Sequence, residues 1–595
     1  MKSLKAVTII EKAEETQGKD ALRATTTSIG KGQQALRDIP QSITVVTEKL
    51  MDDRNLDTLK DVLHSTAGVT FLAAEGGEED IRLRGFSLAG TGDIFVDGMR
   101  DPAFYDRDTF GNDRIELLRG SASMLFGRGS TGGAVNQVSK KPFAMDANEI
   151  STTLGSYNFR RVTGDFNIRT DEDAALRINA MATTADNNGA GSSLNKKGLA
   201  AAYRLGIGTA NEFGVELYSL KNNNGMNYGM PWIKPTSSAA TSTSTMLPIN
   251  PNSYYGLASD YNKSSADTFA MSHIHRFENA GELKTQVKRG TYDHDQRAGT
   301  VRLAAGTGLN NLGAGTSITR GTQIKMQDLD NLVVQSDYSN KFDALGFKHE
   351  LLTGVDLQSE RKRVYSYNPG VTGAQSAGYL AAIGLTKPTT TIGAENDGAS
   401  INEASRRRFL ANEYDASGYG IYVQDMVQVA PHWKLLGGLR YDNLTGNYYT
   451  HNYTYAGAGG YSGLSNTGIS SYQMTVAGWS QRLGVLYQPN ELASYHVSLG
   501  SSFNTSADAY SLSASNTNTP PEQSYNLELG AKLDSADKRV TTRWAAFYSV
   551  KLHERNTDPL QPGVTVLSGR RHASGVEVDI TGRISPKWEV YGSYM

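Results

Sequence analysis

The stretch LFGRGSTGGAVN, Leu125 to Asn136, decides how this chain is read. Gly127, Gly129 and Gly132 spell G-x-G-x-x-G, the spacing with which a dinucleotide-binding turn cradles a pyrophosphate. That chemistry needs a strand just before the glycines and a helix opening at the last of them, so that amide groups face the phosphate. Here the order is reversed. SASMLF reads as a short helical turn, and AVNQVSK, with Val135 and Val138, reads as extended. No strand ending in an acidic residue follows about twenty positions on; Glu149 opens a different element. Gly127, Gly129, Gly132 and Gly133 therefore read as a corner of tight turns and close backbone packing, with no nucleotide cofactor expected.

The 595-residue chain carries 62 Gly and 30 Tyr, no Cys, and a formal net charge of -2. The lack of cysteine removes disulfides, thiol nucleophiles and cysteine metal sites. The near-zero charge argues against nucleic acid as a partner. No run offers the roughly 20 apolar residues of a membrane-spanning helix, which leaves open a membrane barrel, whose strands alternate and hide their apolar face. MKSLKAVTIIEKAEE meets acidic residues before any useful apolar core, so no signal peptide is read.

Upstream and downstream of the glycine corner the chain has different characters. Residues 1–34 read as a flexible arm with one β-prone island, AVTII. Residues 35–143 read as a compact α+β domain: SITVV as a strand, then NLDTLKDVLHSTAGV as a helix with Asn55 as N-cap and Gly68 at its C-terminal end. Short strand-like pieces follow. Ile81 and Leu83 alternate with Arg82 and Arg84 in DIRLRG. From 144 to 595 long alternating segments succeed one another. In RVTTRWAAFYSVK, Val540, Trp544, Ala546, Tyr548 and Val550 share one face and Arg539, Thr541, Arg543, Ser549 and Lys551 the other, with Phe547 the exception. Tyr525, Leu527 and Leu529 likewise oppose Asn526, Glu528 and Lys532.

The connections are as telling as the strands. TDEDA, TANE, ENAG, FDALG, VAPH, QPNE, DSADK and ISPK are short turns. Between them lie polar loops at about 222–263, 291–321, 365–416, 446–477 and 505–521. Alternation of short turns with long loops is the habit of an outer-membrane barrel. About 17 strands are read, with apolar side chains meeting lipid and charged ones lining the lumen. A lumen this wide needs a plug, and the α+β domain is available for it. Every backbone polar group in a bilayer must be paired, so the odd count and the end in mid-strand predict that closing strands lie beyond this chain.

GSASMLFGRGSTGGAVNQVSKKP resembles the plug end of TonB-dependent outer-membrane receptors, with their L-R-G…S-x-L-(Y/F)-G-x-G-(S/A)-x-G-G-x-(V/I)-N run. DIPQSITVVTEKLMDDR, IRLRGF, FVDGMRD and DRIELLRG agree in the plug. YVQDMVQVAPHWKLLGGLRYD, PPEQSYNLELGAK and RRHASGVEVDITGRISPKWEVYGSY agree in the barrel. The plug end is most similar to ferric siderophore receptors of the catecholate type. The resemblance implies a 22-stranded transmembrane β-barrel, here short of strands, around an N-terminal α+β plug in the bacterial outer membrane. It makes Ala6, Val7, Thr8, Ile9 and Ile10 the candidate TonB box, which pairs as a strand with the energy-transducing protein. Two departures are a missing leader and a missing C-terminal strand ending in an aromatic residue.

What the resemblance implies is TonB-dependent uptake of a ferric siderophore, with no covalent chemistry and no catalytic residues. The partners implied are the TonB complex, the chelate and outer-membrane lipid; phage or bacteriocins are further candidates. A ferric tris-catecholate is anionic with aromatic faces, suited to arginine and stacked rings. Arg100, Phe104, Tyr105 and Arg107 in GMRDPAFYDRDTF are candidate ligand residues, the alternative being a solvated loop anchored by rings. Tyr228 and Trp232 after Lys221, and Tyr254 and Tyr255, are further candidates, the alternative being an interfacial girdle. His273 and His275 share a strand face without a third metal ligand and suit a lumen or girdle position. Asp293 to Asp295 read as a solvated stretch near a loop. Arg82 and Arg84 are expected to pair with carboxylates of the barrel wall. Iron stays inside its chelate, so neither a protein metal site nor a cofactor is expected. Two other readings stay open: a receptor of the same architecture for haem, cobalamin or an oligosaccharide, and a surface barrel or adhesin that transports nothing.

Overall fold

The computed structural model describes residues 19, 21–71, 81–88, 93–101, 105–129, 132–186, 193–368, 373–402, 406–457, 460–505, 520–557, 565–567 and 570–595. Ala6–Ile10 and Phe104 lie outside the described residues. The N-terminal domain is built on a five-stranded mixed sheet of Ile43–Thr47 (β1), Ile94–Val96 (β2), Met99–Arg100 (β3), Asn112–Arg119 (β4) and Gly133–Ser139 (β5), ordered β1-β4-β5-β2-β3. β5 runs parallel to β2 and the other pairs are antiparallel. Asp97 (φ +51°) and Gly98 (φ +79°) turn β2 into β3. Two residues of positive φ, Asp then Gly, match the twist of a two-residue hairpin.

Among the described residues three short α-helices, Glu48–Asp53 (α1), Leu59–His64 (α2) and Ser123–Phe126 (α3), accompany this sheet. α2 is shorter than its sequence pattern suggests, and Thr58 rather than Asn55 caps it. The Asp61 amide donates to Thr58 Oγ1 (3.2 Å) and the Thr58 amide to Asp61 Oδ2 (3.1 Å), a reciprocal capping box. Asn55 instead takes a left-handed φ of +51° in the turn before it. Leu59, Val62 and Leu63 are buried with Leu50, Ile81, Leu83, Ile115 and Val135 in the domain core.

Residues 21–34 are not a free arm. Ala24, Thr27 and Ile29 are buried, Arg23 Nη1 donates to Asp534 Oδ1 (2.9 Å), and Lys31 Nζ donates to the Tyr422 hydroxyl (2.9 Å). The partners lie hundreds of positions away, where no local pattern could announce them.

The rest of the chain forms one 18-stranded antiparallel sheet running from Ala147 to Tyr594. One of its strands, Thr390–Thr391, is a two-residue addition on a loop, and the other seventeen make the wall. All eight short turns read from sequence join strands at one end of the sheet. Leu199, Leu217, Phe269, Leu357, Ile421, Trp479, Leu527 and Trp544 project outward into an exposed apolar band. Glu528, Glu577, Asp579, Arg440 and Gln296 face inward and are buried. Phe547, which broke the pattern, also faces inward: the Arg84 guanidinium lies 3.9 Å from its ring centroid. Among the described residues no helix is long and apolar enough to cross a membrane.

Two of the expected loops are mostly strand. Residues 446–477 belong largely to Trp433–Tyr455 and Leu464–Asn490, and residues 291–321 are bounded by Glu282–Leu303 and Ser317–Ala344. These strands continue past the apolar band, where neither face needs apolar side chains and the alternation fades.

Candidate ligand site at the plug apex and outer mouth

The sequence SMLFGRG folds as α3 followed by Gly127 (φ +77°) and Gly129 (φ +93°), left-handed positions that favour glycine. Gly129 N donates to the Phe503 carbonyl (2.7 Å), and Ser123 Oγ donates to the Gly129 carbonyl (2.8 Å). A Cβ on Gly132 would sit 2.6 Å from the Leu83 carbonyl oxygen, and one on Gly133 would run into that of Leu118. The glycine run is thus a packed corner seated against the wall, preceded by a helix and followed by strand β5, the reverse of a nucleotide turn. At its tip Arg128 forms an ion pair with Glu360 of the wall.

Most of the expected ligand residues are consumed internally. Arg107, 1% exposed, donates from Nε to Asp101 Oδ2 (2.8 Å) and lies over the Tyr105 ring at 4.5 Å. Tyr105 is also buried and donates to the same Asp101 oxygen (2.9 Å). Arg100 donates from Nη2 to the Arg128 carbonyl (2.9 Å) beneath the Phe95 ring. Tyr255, 1% exposed, donates to the Ile392 carbonyl (2.7 Å), and the Tyr254 hydroxyl is shared by the carbonyls of Met226 (3.0 Å) and Leu257 (2.9 Å). These five side chains brace the plug and the outer loops, because burial gives each polar atom an internal partner. Tyr228 is half-buried, while Trp232, 67% exposed, stands on a small hairpin with Thr245–Met246. His273 and His275 both bond Asn211 Oδ1 (3.2 and 2.8 Å), with their rings against Phe213 and Phe277. That aromatic cluster lies by a short turn. Asp293 and Asp295 are in a strand, not a loop, and Asp295 receives Arg406 Nη2 at 2.9 Å.

The wall supplies residues that the sequence reading passed over. Register places Tyr292, Leu329, Lys362, Tyr414, Tyr448 and Tyr472 side by side on consecutive strands. This row faces the lumen one step above Glu360, the partner of Arg128. Tyr414, Leu444, Met474, Val476 and Phe503 cluster there, with Tyr448 and Tyr472 half-buried at the edge. A cation set beside tyrosine rings can hold an anionic aromatic ligand by charge and stacking together. Higher up, Arg407 lies 5.0 Å from the Tyr461 ring and Arg408 4.5 Å from the Tyr365 ring. The RRRF run, Arg406 to Phe409, is the one sequence signal that would have found this region. The lumen row has none, since it exists only in the register between strands.

Below the apex, polar bonds seat the plug. Arg84 bonds Glu577 (2.9 and 2.8 Å) and Glu528 (2.8 Å), as the sequence reading expected. Thr44 Oγ1 donates to Asp579 Oδ2 (2.6 Å), and Arg119 lies 3.5 Å from the same carboxylate. Burial works against charge on Arg84, but the two glutamates outweigh it and raise the guanidinium pKa. Burial would raise Asp101, yet Arg107 and Lys288 with the Tyr105 hydroxyl hold it below the ordinary carboxylate value. Burial opposes the Asp97 charge as well, and Lys141 at 3.1 Å with the Ser139 donors holds that carboxyl low.

Comparison with known proteins places this architecture. Residues 35–134 match the TonB-dependent receptor plug domain, and residues 206–595 match the TonB-dependent receptor-like β-barrel. The chain is 26% identical over 597 residues to the catecholate siderophore receptor Fiu of Escherichia coli (strain K12), covering 94% of this chain and 74% of the relative. It is 24% identical over 573 residues to the probable TonB-dependent siderophore receptor PiuA of Acinetobacter baumannii, with the same coverage of 94% and 74%. The closed crystal form of Escherichia coli Fiu superposes with a TM-score of 0.81 at 23% identity, covering 96% of this chain and 82% of that one. The crystal structure of PiuA gives 0.82 at 21% identity, covering 96% and 80%. With a family model over most of its length and a plug seated in its lumen, the chain belongs to the TonB-dependent receptors, plugged β-barrels of the bacterial outer membrane.

Proposed function

We propose that this receptor takes up a ferric siderophore of the catecholate type, driven through TonB. The observation that carries the reading is the lumen row above Arg128, in which the half-buried rings of Tyr448 and Tyr472 stand at the edge and Lys362 and Tyr414 lie buried beside them. The names of the relatives, catecholate and other siderophore receptors, support the same cargo. The chelate binds above the plug apex, and Ala6–Ile10 pairs as an added strand with TonB. Force applied there loosens a plug held by ion pairs and hydrogen bonds. Iron travels inside its chelate, so the protein supplies neither a metal ligand nor a cofactor, and no catalytic step is involved. Bacteriocins and phage remain further candidate partners of the exposed mouth.

Radiolabelled iron uptake into cells carrying this receptor, tested with a siderophore panel, decides the reading. Catecholate complexes are expected to enter only with a proton gradient, and deleting Ala6–Ile10 is expected to abolish entry while sparing binding. Uptake of haem, cobalamin or an oligosaccharide but no iron chelate would move the receptor to another cargo. Binding without uptake of anything would make it an adhesin.

A further inference from the structure

Between two neighbouring strands of the wall one edge is left open. Ser317–Ala344 pairs along one edge with Glu282–Leu303, from Ile318 to Ser339. Its other edge is taken by Phe347–Ser366 as far as the pair Met326–Tyr365, and by the short strand Thr390–Thr391 at Ile318 and Ser317. Residues 319–325, between those pairs, have no strand partner on that edge among the described residues. The two long strands part there because Tyr365 and Ser366 stay paired with Leu410 and Phe409 on their far side. The parting leaves a cavity of 580 Å³. Main-chain groups face it. The Thr316 carbonyl accepts the Ile392 amide (2.9 Å) on the open edge, and the Ser317 carbonyl accepts the Ala304 amide (3.0 Å) on the other. Alternate residues of a strand direct their amide and carbonyl to the same edge, so Arg320 and Ile324 present theirs to the gap. No described residue bonds these main-chain groups. Arg320 is buried, and main-chain groups of buried residues are rarely left unpaired.

We propose that this gap is a docking site for an extended, uncharged segment of an extracellular protein, which pairs there as an added strand. What the gap lacks is one stretch of strand. Phe347–Ser366 below it and Thr390–Thr391 above it hold the same edge, both antiparallel to Ser317–Ala344. An extended peptide is the ligand that offers amides and carbonyls at the matching repeat, and an open edge is the template that recruits one. The side chains around the gap decide its character. Tyr365, Tyr367, Leu380 and Leu385 give it apolar walls, with Gln323 and Thr386 beside them. The two lining cations are engaged: Arg320 Nη2 donates to both oxygens of Asp397 (2.7 Å), and Lys387 Nζ to the carbonyls of Gly321 and Ala298. An uncharged segment therefore enters without displacing an ion pair. The site stands apart from the cargo reading, since it begins three positions beyond the lumen row at Leu329 and Lys362.

The probe is a library of random hexapeptides displayed on phage and selected on the purified receptor. Uncharged peptides are expected to be enriched, and a synthetic copy of an enriched one is then measured at equilibrium. Ile324→Pro removes an amide that has no strand partner to lose, and an open edge is where a strand tolerates proline. It is expected to melt with the parent and to bind the peptide about tenfold more weakly. Thr386→Trp, which fills the cavity from its exposed rim, is expected to weaken binding to a similar degree. Methylating one alternate set of the peptide's amides should abolish binding, because only one set faces the edge. The proposal is overturned by a selection that enriches nothing, by equal binding to the parent and to Thr386→Trp, or by binding that survives methylation of either set. Equal binding to a stable Ile324→Pro also overturns it. If Ile324→Pro lowers the melting temperature, Thr386→Trp and the methylated peptides decide.

Discussion

Arg84 grips Glu577 with both prongs of its guanidinium, Nε to Oε1 at 2.9 Å and Nη2 to Oε2 at 2.8 Å, although the two residues stand 493 positions apart. Both side chains are fully or almost fully buried, and Nη2 also reaches Glu528. Removing the cation strands two carboxylates in the lumen. Arg84→Met is expected to cost about 3–5 kcal/mol, the range for breaking a buried pair from one side. Limited proteolysis of the purified receptor should then cut the plug while the barrel stays intact. A plug as resistant as the parent's would show that apolar packing seats it instead.

Acid should loosen the same domain through Asp97. Its carboxyl is held below the ordinary value of 3.8 in the fold, so its stabilising share is complete above that value and is lost as the pH falls through the lower folded one. Asp97→Asn removes this share at neutral pH and should flatten the acid limb of the melting curve. Asparagine accepts the positive φ at this turn, so the hairpin survives the change. Parallel acid limbs for parent and variant would refute the assignment.

The two kinds of positive-φ glycine should respond differently to alanine. Gly98 has open space around a built Cβ, so Gly98→Ala is expected to cost about 1–2 kcal/mol of backbone strain alone. Gly133→Ala adds a collision with the Leu118 carbonyl and with Leu83 Cδ1 at 2.8 Å. It should prevent the plug from seating, seen as a leak of hydrophilic solutes into cells. A sealed barrel carrying Gly133→Ala would mean that β4 and β5 can part without cost.

The tyrosine row should govern affinity and not folding. Tyr448→Leu and Tyr472→Leu keep apolar bulk and remove a ring face, at about 0.5–1.5 kcal/mol each. Equilibrium binding of a ferric catecholate should weaken by roughly twofold to twelvefold for each variant, with the melting temperature unchanged. Unchanged binding in both would remove the row from the ligand site.

The sequence made some of this legible and hid the rest for physical reasons. The eight short turns and the outward face of Tyr525, Leu527 and Leu529 were readable, because a membrane strand must alternate and a tight turn must interrupt it. The upper strands around His451 and Ile469 were not, because water on both faces relaxes that alternation. The ligand residues were the hardest. Arg107 and Trp232 are equally plausible on paper, and only the wall opposite decides that one is buried on Asp101 and the other exposed. Lys362 beside Tyr414 is a matter of register between strands joined by a 42-residue connection, which no local pattern encodes.

The wall is also of unequal height. Six consecutive strands, from Glu282–Leu303 to Leu464–Asn490, run 20 to 28 residues, while Ala174–Ala185, Leu194–Leu205 and Ala493–Asn504 have 12. At roughly 3.4 Å per residue and a tilt near 45°, the longest rises about 65 Å and these 12-residue strands about 29 Å, close to the thickness of the hydrocarbon core. The tall strands form a parapet on one flank of the entrance. Molecules drifting along the cell surface from that direction meet this screen first, so the direction of approach is itself a filter that acts before any side chain is touched.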